Sequence, residues 1–159
     1  MTREQLLNKL EKAWAELHES YAGLPDSRMT EPGVVEDWSV KDVLAHVTTW
    51  EEEALKYLPL IVEGRTPPRY SVQYGGIDAF NALRTEQKRS LTLPEVLAQM
   101  EDTHRRLVEY VRGVSEEHFA RETPFRHRLR FDTYRHYAGH ARAIAEWRDK
   151  PERRATQDR

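Results

Sequence analysis

The sequence predicts an all-α fold, an antiparallel bundle of four main helices, on three observations. Apolar residues recur at three- and four-residue spacing through four long stretches. Hydroxyl residues suited to capping head two of those stretches. Most connections are short, as a bundle requires.

The first helix is expected from about Thr2 to Tyr21, with Leu6, Leu7, Leu10, Trp14, Leu17 and Tyr21 on one stripe. Leu24-Pro25-Asp26 ends it, and the linker beyond holds Pro32 and Gly33. The second helix opens at Ser39, with Asp42 three residues later in a capping-box-like arrangement. Val43, Leu44, Val47, Trp50, Ala54, Leu58 and Ile61 form its apolar face, Pro59 sits in its last turn and Gly64 stops it.

Residues 64–76, GRTPPRYSVQYGG, read as an ordered loop or lid because of their paired prolines and glycines. A shorter helix is expected over 77–90. Thr92 and Glu95 form a T-x-x-E capping box with Pro94 in the first turn. The third main helix then runs to about Gly113, with Val96, Leu97, Met100, Leu107 and Val111 inward. Between 115 and 130, Phe125, His127, Leu129 and Phe131 alternate with Arg126, Arg128 and Arg130, which predicts an extended stretch. The fourth main helix is expected from about Phe131 to Lys150. Residues 1–150 thus read as one domain and 151–159 as a fraying C-terminal tail.

Composition narrows the function classes. The chain has no cysteine, which excludes disulfides, cysteine-based metal sites and a cysteine nucleophile. The N-terminal segment is charged and amphipathic, unlike a signal peptide, and no apolar run approaches the roughly 20 residues that span a bilayer. A cytoplasmic protein with no membrane association is expected. Net charge is -2, so no nucleic-acid partner is expected either. Charge is uneven, however. Residues 1–64 carry 6 lysines and arginines against 13 acids, whereas residues 121–148 carry 7 arginines against 3 acids. This asymmetry reads as solvated faces that attract one another across the bundle, or as an anion-attracting rim near the fourth helix.

Three histidines form the most informative pattern. His46 lies on or beside the apolar stripe of the second helix, three residues after Val43 and four before Trp50. His136 and His140 are four apart on the fourth helix and share a face that Ile144 and Trp147 continue. Imidazoles aimed into a bundle interior suit Zn²⁺, Ni²⁺, Fe²⁺ or Cu²⁺. Three protein ligands plus water is the pattern of a catalytic zinc site rather than a structural one. Spacing alone leaves His104, between Met100 and Leu107, and His18, between Trp14 and Tyr21, as rival inward histidines.

The segment WSVKDVLAH from Trp38 to His46 resembles the helix-two signature of the DinB-like (DinB/YfiT) superfamily: a tryptophan, a hydroxyl cap, an apolar run and a metal-binding histidine. HYAGHARAI from His136 to Ile144 is similar to its helix-four signature. The resemblance implies an up-down-down-up bundle with a longer connection between main helices two and three. It also implies a divalent metal (Zn, Ni or Fe) on His46, His136 and His140. Trp50 in HVTTWE, the segment DAFN at 78–81 and TYRHYAGH with Trp147 beyond resemble ClbS/DfsB-type members. That branch includes a protein that hydrolyses a cyclopropane in a genotoxic metabolite without this metal.

Other side chains are weaker candidates. Glu53, seven residues after His46, reads as a general base, a fourth ligand or solvated surface. Tyr57 and Tyr137 are candidate proton donors. Trp14, Trp38, Trp50 and Trp147 either wall a ligand pocket or fill the core. Arg135 and Arg142 either grip an anionic cofactor or pair at the surface.

Three functions follow as expectations. The first is a metal-dependent transferase, isomerase or hydrolase acting on a small electrophile. Thiol-dependent S-transferases and a mycothiol-dependent maleylpyruvate isomerase are the relatives that imply it, and the thiol would come from a low-molecular-weight cofactor. The second is a ClbS-like protein that binds or detoxifies a small molecule without a functional metal. The third is a non-catalytic, stress-associated bundle; a homodimer is expected in any of them.

Overall fold

The computed structural model describes residues 1–150, and the expected tail at 151–159 lies outside the described residues. Four long helices carry the architecture: α1 (Arg3–Tyr21), α3 (Val40–Val62), α6 (Leu93–Arg112) and α8 (Tyr134–Arg148). Shorter elements join them: α2 (Asp26–Met29), α4 (Tyr70–Gln73), α5 (Ile77–Lys88), a 3₁₀ turn at Glu116–Phe119, and α7 (Pro124–Asp132). No strand occurs among the described residues.

The helix starts follow local chemistry. Thr2 and Ser39 each accept the N–H of the residue three positions on, and Gln5 and Asp42 return the bond to the cap N–H. Thr92 likewise accepts from the Glu95 N–H, with no reciprocal bond seen among the described residues. Pro59 lies inside α3, which continues to Val62 before Gly64 takes a φ of +80°.

Side-chain contacts give the helix directions. Lys9 lies over the Tyr134 ring and Arg148 bonds to the Ser20 carbonyl, so α1 and α8 run parallel. Lys41 reaches Arg89, just before α6, and Glu51 reaches His104, so α3 and α6 run parallel too. Arg3 meets Val114 and His18 meets Glu101, so α1 opposes α6. The course is up-down-down-up, and the long second connection is the crossover that two parallel neighbours demand. Leu6, Leu10, Leu17, Leu44, Met100 and Leu107 are among the fully buried side chains at its centre.

One stretch departs from the sequence reading. Residues 115–130 are not extended: they form the 3₁₀ turn and α7. Thr123 accepts the Arg126 N–H, Pro124 occupies the first turn, and Phe125 and Leu129, four apart, are the buried pair. Phe131, the last member of the alternation, is 45% exposed. The expected start of the fourth helix at Phe131 also shifts. Thr133 leaves helical geometry (φ -126°, ψ -103°) and separates α7 from α8, while its hydroxyl donates to the Leu129 carbonyl.

Candidate metal centre

His46 is placed by the head of α3. Tight backbone bonds from Val34 and Gly33 to the Trp38 carbonyl fold the linker back, and Trp38 packs its ring 4.9 Å from that of His46. His136 and His140 project from one face of α8 toward it. The Nε2 atom of His136 lies 2.9 Å from Nε2 of His46 and 2.9 Å from Nε2 of His140. Nitrogens this close can share one ion at about 2.0–2.1 Å from each.

The electrostatics suit neutral ligands. Burial pushes His46 down to about 3, helped by His140 and Lys88. Burial lowers His140 to about 4, and burial with the two neighbouring imidazoles holds His136 well below its ordinary value. At neutral pH all three rings are uncharged. A ring nitrogen holds either one hydrogen or one lone pair, so Nε2 of His136 cannot bond well to both neighbours. Its Nδ1 is buried with no hydrogen-bond partner among the described residues. A cation at the convergence point would satisfy all three Nε2 lone pairs at once, so the donor set fits a divalent metal.

His46 and His136 also line a cavity of about 420 Å³, walled by Trp50, Tyr70, Phe131 and Asp132. Trp50 donates to Asn81, 2.9 Å away. Arg128 donates to Asp132 (2.6 Å) and to the Tyr70 hydroxyl (2.7 Å), and that hydroxyl donates to Glu53 (3.1 Å). Tyr70 thereby ties the 64–76 segment to α3 and α7. Burial raises Asp132 to about 6 despite the opposing pull of Arg128. Burial likewise keeps the Tyr70 hydroxyl protonated.

The remaining expected site residues scatter. Glu53 is buried behind Tyr70 and committed to it, and Tyr57 is buried in the same layer under Arg128. Tyr137 is fully buried and turns away from the triad, toward His104 and Glu51. Arg135 and Arg142 are exposed, Arg135 over the Phe131 ring. Of the tryptophans only Trp50 lines the cavity; Trp14 is core, and Trp147 sits over by Arg28. The rival histidines are engaged elsewhere, His18 with the Trp14 carbonyl and Glu101, His104 with Glu51 and Glu11. Asp132 and Arg128 escaped the sequence reading. Their signal was the four-residue spacing from Arg128 to Asp132 to His136, hidden by the extended assignment of that stretch.

A helical bundle with one buried and two half-buried histidines converging beside a cavity defines the class. The chain belongs to the DinB superfamily, whose family model matches residues 9–146. A search of curated proteins finds no match. Among solved structures, the chain is similar to DfsB, described as a sibling lethal factor precursor (16% identity, 95% of this chain and 97% of that one, TM-score 0.80). It is also similar to the colibactin self-resistance protein ClbS in complex with dsDNA (15%, 93% and 96%, TM-score 0.78). A Streptococcus pneumoniae protein matches too (16%, 93% and 91%, TM-score 0.76). At these identities the likeness is one of fold, and its two named members are of the ClbS/DfsB type the sequence resembles.

The ClbS complex corrects one expectation. The net charge of -2 argues against a nucleic-acid partner, yet a protein of this fold is held on dsDNA. Phosphates respond to local cations rather than to the sum over a chain, and this chain gathers its arginines around α7.

Proposed function

We propose that this protein is a metal-dependent enzyme acting on a small electrophilic molecule, with residues 1–150 as its functional unit in the cytoplasm. His46, His136 and His140 would hold one divalent transition ion, Zn²⁺, Ni²⁺ or Fe²⁺. The observation that carries the reading is the convergence of three uncharged imidazoles, with His136 Nε2 2.9 Å from Nε2 of each of the other two, and with His46 and His136 on the wall of a cavity. Bound there, the metal would supply Lewis acidity toward a thiol or water. The nucleophilic thiol would come from a low-molecular-weight cofactor, because the chain has none.

The chain's own groups have distinct parts in this reading. Trp50 and Phe131 would hold the apolar body of the substrate. Asp132, with its proton affinity raised toward neutrality, would take or return a proton in the cavity. Arg128 keeps that carboxyl oriented. Glu53, Tyr137, Arg135 and Arg142 have no direct part.

The test is elemental analysis of protein purified without an affinity tag. Near-stoichiometric metal is expected, lost in His136→Ala, together with thiol-dependent turnover of electrophiles that falls with His46→Ala. Trace metal, unchanged in the variant, would defeat the reading. A second reading, a ClbS-like detoxifying protein without a functional metal, is favoured by the cavity's own groups, an aromatic wall at Trp50 and a carboxyl of raised proton affinity at Asp132, which could hold and protonate a substrate unaided. It predicts turnover of a strained electrophile that survives chelation and is lost in Asp132→Asn.

A further inference from the structure

We propose that the arginine-lined cleft beside α7 binds the phosphate backbone of single-stranded nucleic acid. The cleft encloses about 990 Å³ between α1, α7 and the start of α8, and its cations are Lys9, Arg121, Arg126, Arg130 and Arg135. Glu122 is the one acid that lines it. None of the five cations forms an ion pair with a described acidic residue, whereas Arg105, Arg106 and Arg128 all do. Lys9 and Arg135 rest on the Tyr134 and Phe131 rings, contacts that leave their charge unneutralised. Clustered, uncompensated cations repel one another, so such a set is costly to the free protein and is relieved by a polyanion.

The choice of polyanion rests on what lies next door. Exposed His127 is a common wall of this cleft and of the aromatic cavity lined by Trp50, Tyr70 and Phe131. A cationic track beside aromatic faces matches an unpaired strand, with phosphates on the arginines and a base against the rings. Every nucleotide of an unpaired strand brings a planar base beside its phosphate, whereas a run of acidic residues brings charge without a ring, and a duplex keeps its bases stacked out of reach. The proposal does not depend on the metal reading, because none of the five cations is hydrogen-bonded to a triad ring among the described residues.

The experiment is fluorescence anisotropy with labelled single-stranded oligonucleotides, the same sequences as duplexes, and poly-glutamate of matched charge as competitor. The single strand should bind more tightly than the duplex and resist poly-glutamate. The double variant Arg126→Gln/Arg130→Gln should weaken binding at least tenfold and flatten the log–log salt slope by about 1.4, some 0.7 per phosphate released. Its far-UV circular dichroism and metal content should match the parent. Arg105→Gln/Arg106→Gln makes the same charge change on α6 and should bind like the parent. Equal loss in both double variants would show non-local charge and overturn the proposal. So would unchanged affinity in the cleft variant, equal competition by poly-glutamate, or equal affinity for duplex.

Discussion

Two histidine clusters sit within the same bundle, and they are built on opposite principles. His104 on α6 stacks flat on Trp14, with ring centroids 3.7 Å apart and 1° between planes. Its Nδ1 meets Glu51 at 2.9 Å and its Nε2 meets Glu11 at 3.1 Å. Glu51 Oε1 lacks a partner at hydrogen-bond distance, although the Tyr137 hydroxyl lies close enough to affect its proton affinity. The other cluster gathers His46, His136 and His140 with no carboxylate paired to any of them among the described residues, since Asp132 nearby is held by Arg128. Burial isolates both, but only the first is given the charges that offset its desolvation. A histidine with both nitrogens answered is a structural part. Three that answer only one another form a socket for something else.

The largest expected effect tests the answered cluster. Glu51→Ala removes the wholly buried partner of His104 and should cost about 3–5 kcal/mol in urea unfolding, the range for breaking a buried pair. His136→Ala in metal-free protein should cost about 1 kcal/mol or less, because it also removes an unpartnered nitrogen. Equal costs would break the comparison. Next in size is the response to metal. Zn²⁺ or Ni²⁺ at one hundred times its Kd should stabilise the parent by about 2.7 kcal/mol and leave His136→Ala unmoved, as thermal scans would show.

The clusters should also titrate in opposite directions. Burial by itself would lower His104, but Glu51 and Glu11 outweigh it and hold its proton affinity up. An elevated histidine stabilises the fold fully below the unfolded value of about 6.5 and loses that contribution as pH rises through the folded value. Burial raises Glu51 as well, which acts in the same direction. In the metal-free triad the values are depressed, to about 3 at His46 and about 4 at His140. There the unfolded chain takes up protons that the folded chain refuses, so stability falls as pH drops below about 6.5. Urea midpoints across pH should therefore show an alkaline loss that His104→Gln flattens and an acid loss that His140→Gln flattens.

The two clusters were unequally legible in the sequence. Helix periodicity and the Ser39 cap fixed the stripe on which His46 sits, and the four-residue spacing put His136 and His140 on one face. Which of the inward histidines would meet was not written in spacing, because His104 and His18 lie on equally good stripes. Family likeness separated them, and the structure supplies the physical reason: Glu51, Glu11 and Glu101 claim the rivals. Those pairings cross 53, 93 and 83 residues, distances at which no local pattern speaks. The α7 stretch was misread because short helices with arginines on every second position mimic a strand, and that error hid Asp132 and Arg128 beside the triad.

The smallest expected effect concerns how the socket is closed. Tyr70 comes from the 64–76 segment, whose flanking glycines Gly64, Gly75 and Gly76 all take positive φ. Its hydroxyl makes the two side-chain hydrogen bonds seen from α4 to α3 and α7 among the described residues, donating to Glu53 and accepting from Arg128. Tyr70→Phe keeps the ring against Trp50 and Phe80 but cuts both bonds. Global stability should fall by about 1.5 kcal/mol, the low end for hydrogen bonds to charged groups, because Arg128 keeps its pair with Asp132. The informative readout is local. Amide hydrogen exchange across 64–76 should quicken while α1 and α6, which hold the His104 cluster, keep their protection. Uniform quickening through the bundle would mean that Tyr70 supports the core, and that the wall of the triad's cavity is no more separable than the core around His104.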